Sequence, residues 1–269
     1  MLRPHVPVIP REPRDVWAFN LEDEIALIQE TAIHYPYVAM NTVFPGVVGK
    51  VLGDFDSGSE LVLQEIIANV NLMNMLQLGI TLLDEQGNLP PKCCSWQINF
   101  RIDLAADTYS QSSLDLLRST GFDPLRNERD GVSHEQFASL LTCSNLVLSD
   151  DVTWITFGGG FNMAYLLKIL LGEYLPYNSR EYFENLFLYF PQLYDVRYLA
   201  DSVKNLKGEL LEISEHLKIP RMQGNHSAGS NSYLAGMAFF RMRQSYFEGV
   251  IDEKFNGVQH LLEGAMPLM

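Results

Sequence analysis

The stretch from residue 76 to residue 102 constrains the fold most. Leu76 to Leu83 is an apolar run of strand length, and Asp84-Glu85-Gln86-Gly87-Asn88 supplies turn chemistry. The return run alternates, with Trp96, Ile98, Phe100 and Ile102 on one face and Gln97, Asn99 and Arg101 on the other. That is a hairpin. Tyr37 to Val43, stopped by Phe44-Pro45-Gly46, reads as a further strand, so three early strands begin a mixed sheet.

Helical signals follow. Asn20 with Asp23 marks a helix start, with Glu22 to Glu24 favourable against the helix dipole and Leu21, Ile25, Leu27 and Ile28 as its apolar stripe. Ser133 and Gln136 form a capping box ahead of Phe137, Leu140 and Leu141. Val152 to Phe157 reads as a strand, Gly158-Gly159-Gly160 as a tight turn, and Phe161 to Leu171 as a helix. Phe187 to Leu199 holds a short buried strand or helix broken at Pro191. Leu206 to Leu217 and Ser230 to Glu248 read as helices, the last with Ala235, Gly236 and Ala238 small enough for close packing. Antiparallel strands first, then strands alternating with helices, predict an α/β fold: a mixed sheet flanked by helices on both sides. Pro4, Pro7, Pro10 and Pro13 make residues 1–14 an extended tail, leaving 15–269 as one domain.

Composition narrows the function classes. The 19 Lys and Arg against 33 Asp and Glu leave a net charge of −14, which argues against nucleic-acid binding through a whole-molecule field. No apolar run reaches the ~18 residues of a membrane span, so no membrane partner is expected. The first residues lack the apolar core of a secretory signal. Cys93 and Cys94 are adjacent and Cys143 stands alone, without zinc-ligand spacing, so a reducing compartment is expected. Cys143, in apolar surroundings, reads as a small buried hydrophobe. The six histidines include no metal-binding pair, and no Gly-x-Ser-x-Gly elbow occurs. Gly158-Gly159-Gly160 lacks the spacing of a phosphate-binding loop. Arg241 and Arg243, with Arg197, Lys204, Lys207, Lys218 and Arg221, make the C-terminal half locally more basic, as solvated helix faces do.

Several phrases go further. They are Asp15-Val16-Trp17, Tyr37-Val38-Ala39-Met40 running into Phe44-Pro45-Gly46-Val47-Val48, Leu76-Gln77-Leu78-Gly79, Tyr194-Asp195-Val196-Arg197-Tyr198-Leu199, Asn205-Leu206-Lys207-Gly208, His226-Ser227-Ala228-Gly229-Ser230 and Gly236-Met237-Ala238-Phe239-Phe240. In this order, over about residues 15 to 250, the chain resembles the deadenylase subunit of the Ccr–Not complex, the Caf/Pop group of the DEDD exoribonucleases. The resemblance implies an RNase H-like exonuclease fold and 3′→5′ trimming of poly(A). It also implies four acidic side chains holding two divalent metals about 3.5–4 Å apart, with a nearby histidine helping to deprotonate water.

The sequence departs from that pattern at every acidic position. Where the family has Met-Asp-Thr-Glu-Phe-Pro-Gly, this chain has Met40-Asn41-Thr42-Val43-Phe44-Pro45-Gly46. The second acidic motif holds Asn162 in Gly160-Phe161-Asn162-Met163, and the third motif reads His226-Ser227-Ala228-Gly229-Ser230-Asn231-Ser232. Only His226 keeps the family residue. Gly158 and Asn71 also differ, standing where the family has a histidine and an aspartate. Mg²⁺ gives up its hydration shell reluctantly and needs anionic oxygens. An asparagine turns one of its two oxygens into a donor, and a valine has no ligand atom.

The expectation is therefore a pseudoenzyme that needs no cofactor, with Mg²⁺ or Mn²⁺ relevant only if activity remains. The resemblance implies two partners, the Not scaffold subunit and the leucine-rich-repeat deadenylase subunit of the complex, in cytoplasm and nucleus. Two alternatives stay open: residual deadenylation through asparagine oxygens or Asp195, and weak binding of poly(A) 3′ ends without cleavage.

Overall fold

The expected hairpin lies inside a six-stranded sheet. The computed structural model describes residues 12–223 and 227–266. Along the chain come β1 (Arg14–Val16), α1 (Leu21–Ala32), β2 (Tyr37–Val43), α2 (Gly58–Leu72), β3 (Gln77–Leu83), β4 (Ser95–Asn99), α3 (Gln111–Ser119), α4 (Pro124–Asp130) and α5 (His134–Thr142). Then follow β5 (Thr153–Thr156), α6 (Gly159–Leu171), α7 (Ser179–Tyr189), β6 (Gln192–Asp195), α8 (Val196–Asp201), α9 (Leu210–His216) and α10 (Ala228–Tyr246).

The strand order is β1-β4-β3-β2-β5-β6. β2, β3 and β4 pair antiparallel, while β1 on β4, β5 on β2 and β6 on β5 are parallel. All seven residues of β3 are buried, because the sheet is covered on both faces; an unbroken apolar run, rather than an alternation, suits such a strand. Successive β2 side chains divide between the two layers. Val38 and Met40 enter the core formed with α1, α2, α5, α6 and α7, and Ala39 enters the one formed with α8, α9 and α10.

The small residues of α10 let it lie directly on the sheet. A Cβ on Gly236 would sit 2.9 Å from that of Ala39, and one on Gly79 would fall 2.0 Å from the Ala228 carbonyl oxygen. Only glycine at 79 allows the start of α10 to rest on β3 beside the end of β2.

The structure corrects several sequence expectations. Residues 1–11 of the expected tail lie outside the described residues, and Arg14 is already strand, paired opposite Trp96. β1 is too short to carry a periodic signal. α2 was not expected because it buries polar Gln64 and Asn69 among its apolar residues: Gln64 bonds the Tyr177 carbonyl, and Asn69 bonds residues 48 and 49. β4 stops at Asn99, since the chain leaves to pair with Val132. α9 starts only at Leu210, after left-handed turns at Asn205 (φ 66°) and Gly208 (φ 129°). Cys143 is exposed, not buried, because it is the C-cap of α5 and the apolar face of that helix has ended at Leu141.

His134, first residue of α5, gives the fold a pH dependence. Its ring stacks on Phe100 with centroids 4.6 Å apart, and Nε2 donates to the Met75 carbonyl at 3.0 Å. Burial pushes its pKa below the usual 6.5, outweighing the pull of the Met75 bond and of Glu135 and Asp107; Lys168 adds to the lowering. The folded state therefore prefers neutral imidazole. Its contribution is complete above the unfolded value of 6.5 and is lost as pH falls below it toward the lowered folded value. We expect urea midpoints to drop between pH 7 and pH 5, by at most about 1.4 kcal/mol per pH unit from this group. His134→Phe should flatten that part of the profile.

Candidate functional site

The positions singled out by the resemblance gather at the end of β2. Asn41 and Val43 point to the α10 side of the sheet, while Thr42 between them points to the α6 side. From α10, Asn231 Nδ2 donates to Asn41 Oδ1 at 3.3 Å. From α6, Asn162 reaches the strand between those two positions: its Oδ1 accepts from Thr42 N at 3.0 Å and from Thr42 Oγ1 at 2.7 Å. β5 pairs with β2 only as far as Ala39, so this side chain meets a backbone N–H that β5 leaves free. On its other side, Asn162 Nδ2 donates to the Phe157 carbonyl at 3.0 Å and to Thr156 Oγ1 at 3.2 Å. Asn162 is 6 % exposed. His226 lies outside the described residues.

Beside these groups runs a cleft of about 550 Å³ walled by Val43, Gln77, Gln97, Asn231, Leu117 and Phe122, with the carboxylates of Glu12 and Asp15 also in its lining. Neither Asn41 nor Asn162 lines it, and it has no lysine or arginine among its described lining residues. Asn231 Oδ1 has no hydrogen-bond partner among the described residues.

Asp195, a sequence candidate for a substitute ligand, has another role. It is 1 % exposed, and its carboxylate accepts four backbone N–H bonds, from Gly158 at 2.8 Å and from Gly159, Arg197 and His260 at 2.9 Å. Gly158, at φ 62°, opens the turn so that its N–H and the next converge on this carboxylate. The tight-turn reading of residues 158–160 holds only for Gly158, since α6 already begins at Gly159, and these N–H groups are closed to phosphate by the chain's own anion. Sequence reasoning missed this clamp, together with the roles of Thr42 and Thr156. The only signal was the buried-strand context of Asp195.

The donor set decides what the site can hold. Two of the four positions are amides bonded to each other, one is a valine, and the fourth is an amide whose oxygen already accepts two bonds. Among the described residues no group of three or more His, Cys, Asp or Glu is placed to hold a metal ion. These residues do not fit a pair of Mg²⁺ or Mn²⁺ ions, which need several anionic oxygens.

The mixed sheet with helices on both faces, and a site at the end of β2 between α6 and α10, defines an RNase H-like exonuclease fold of the DEDD type. No family model matches the chain. It is 41 % identical over 251 residues to the probable CCR4-associated factor 1 homolog 7 of Arabidopsis thaliana, covering 91 % of each chain. It is 42 % identical over 241 residues to the poly(A) ribonuclease pop2 of Schizosaccharomyces pombe, covering 90 % of this chain and 72 % of that one. The Mg²⁺- and Mn²⁺-bound structure of S. pombe Pop2p matches with a TM-score of 0.89 at 41 % identity, over 93 % of this chain and 99 % of the other. The structure of the yeast NOT1 MIF4G domain co-crystallized with CAF1 matches with a TM-score of 0.79 at 27 % identity, over 93 % and 96 %. The chain belongs to the Caf1/Pop2 deadenylase family.

Proposed function

We propose that this chain is a non-catalytic Caf1/Pop2 protein, which binds the Not scaffold and either adapts or competes within Ccr–Not-type mRNA turnover complexes in cytoplasm and nucleus. One observation carries the reading: Asn41, Val43, Asn162 and Asn231 stand where the family's acids are expected, and their donor set offers no anionic oxygen. Losing a single residue that merely hydrogen-bonds a metal ligand typically costs ~10–100-fold, so losing every charged ligand leaves no two-metal chemistry. Scaffold binding is supported by the likeness to CAF1 bound to the NOT1 MIF4G domain. Docking on the leucine-rich-repeat deadenylase rests on the family resemblance. Residual deadenylation through Asp195 is disfavoured, because its oxygens are engaged by four N–H groups. Poly(A) binding by the cleft is weak in this reading, because its described lining residues include no lysine or arginine to meet phosphate.

The test pairs two measurements. The purified chain is incubated with a labelled poly(A) oligomer and Mg²⁺ or Mn²⁺ beside S. pombe Pop2, and it is passed over an immobilised Not1 MIF4G domain. We expect no shortening and retention on the domain. Metal-dependent shortening by the chain would overturn the non-catalytic reading, and passage through the column would overturn the scaffold.

A further inference from the structure

We infer that the amides of this site act as cross-links between β2, α6 and α10, so that the fold has no use for a divalent cation there. The inference rests on the absence of two-metal chemistry proposed above and adds what took its place.

Asn162 carries the argument. Thr42 presents an N–H, which can only donate; Phe157 presents a carbonyl, which can only accept. The Asn162 amide satisfies both, whereas an ionised carboxylate in its place would satisfy only the donor. An aspartate would keep the Thr42 bonds but set its second oxygen against the Phe157 carbonyl, now 3.0 Å from Nδ2, with a buried charge and no cation beside it. The amide oxygen, with two bonds accepted, has no lone pair left for a metal.

Asn71, a further position where the family has an aspartate, repeats the arrangement. Its Oδ1 accepts from Leu175 N at 2.8 Å, and its Nδ2 donates to the Leu175 carbonyl at 3.0 Å. At both positions the surroundings use the half of the amide that a carboxylate lacks. The Asn231–Asn41 bond extends the series to α10, completing a line of uncharged contacts from α6 through β2 to α10. Carboxylates at these places would repel one another and need a cation between them; the amides attract as they stand.

Thermal unfolding of the full chain in EDTA, in Mg²⁺ and in Mn²⁺ tests this. The Tm should be the same in all three. Asn162→Asp should lower it by about 5 °C or more, with no recovery in either metal. If that variant fails to fold, Thr156→Val, which removes only one acceptor of Nδ2, should give a smaller drop that is also insensitive to metal. A Tm that rises with Mg²⁺ or Mn²⁺ in the unaltered chain, or an Asn162→Asp Tm that is unchanged or restored by metal, overturns the inference. Such a result without poly(A) shortening leaves the non-catalytic reading standing, whereas shortening strikes that reading itself.

Discussion

Asp195→Ala is expected to remove about 3–5 kcal/mol of unfolding free energy, read as a lowered urea midpoint at unchanged slope. The carboxylate is the shared acceptor of N–H groups from three separate segments: the Gly158–Gly159 turn, the start of α8, and His260 near the C-terminus. Each buried donor left without an acceptor costs about 1–3 kcal/mol, and water entering the gap offsets part of the sum. Asp195→Asn should be nearly as harmful, because its NH₂ would face two of the same N–H donors. A loss below about 1 kcal/mol for the alanine variant would mean that water replaces the carboxylate fully and that the clamp is not needed. The family resemblance points to Asp195 only as part of a phrase; the structure explains the phrase by this buried, four-bonded anion.

The parts of the fold legible in the sequence are those whose signal is local. β2 and the β3–β4 hairpin stand out because strand length, alternation and turn residues all fall within about twenty residues. β5, its glycine turn and α6 stand out for the same reason. β1 and α2 do not, since what fixes them is distant. β1 exists only by pairing with β4, some eighty residues on, and the polar residues of α2 are satisfied by the loops at 48–49 and 177. The site divides in the same way. Positions 41, 43, 162 and 231 were legible through the order of short phrases, yet nothing in those phrases says that Asn162 faces a donor on one side and an acceptor on the other. That depends on Thr42, 120 residues away, and on how β5 ends.

Asn41→Asp together with Asn231→Asp is expected to make the fold cation-dependent without producing poly(A) shortening. The two side chains now meet through an amide bond of 3.3 Å. Two carboxylates in that place cannot both ionise freely: one must take up a proton, turn toward solvent or share a cation. At about 4 Å and an effective dielectric of about 20 the repulsion is on the order of 4 kcal/mol. For a chain of this size that corresponds to a Tm lowered by about 10 °C in EDTA near neutral pH. Mn²⁺ should restore most of the loss, since it neutralises both groups, and so should acid, which protonates one of them. Poly(A) shortening should still be absent, because Val43 offers no ligand atom and the Asn162 oxygen remains engaged with Thr42. An unchanged Tm in EDTA would mean that the two carboxylates separate, and that the end of β2 is looser than its hydrogen bonds imply. Shortening of poly(A) by this double variant would mean that two acids suffice for the chemistry. The number of negative charges at the end of β2, rather than their arrangement, would then decide whether the proposed non-catalytic state holds.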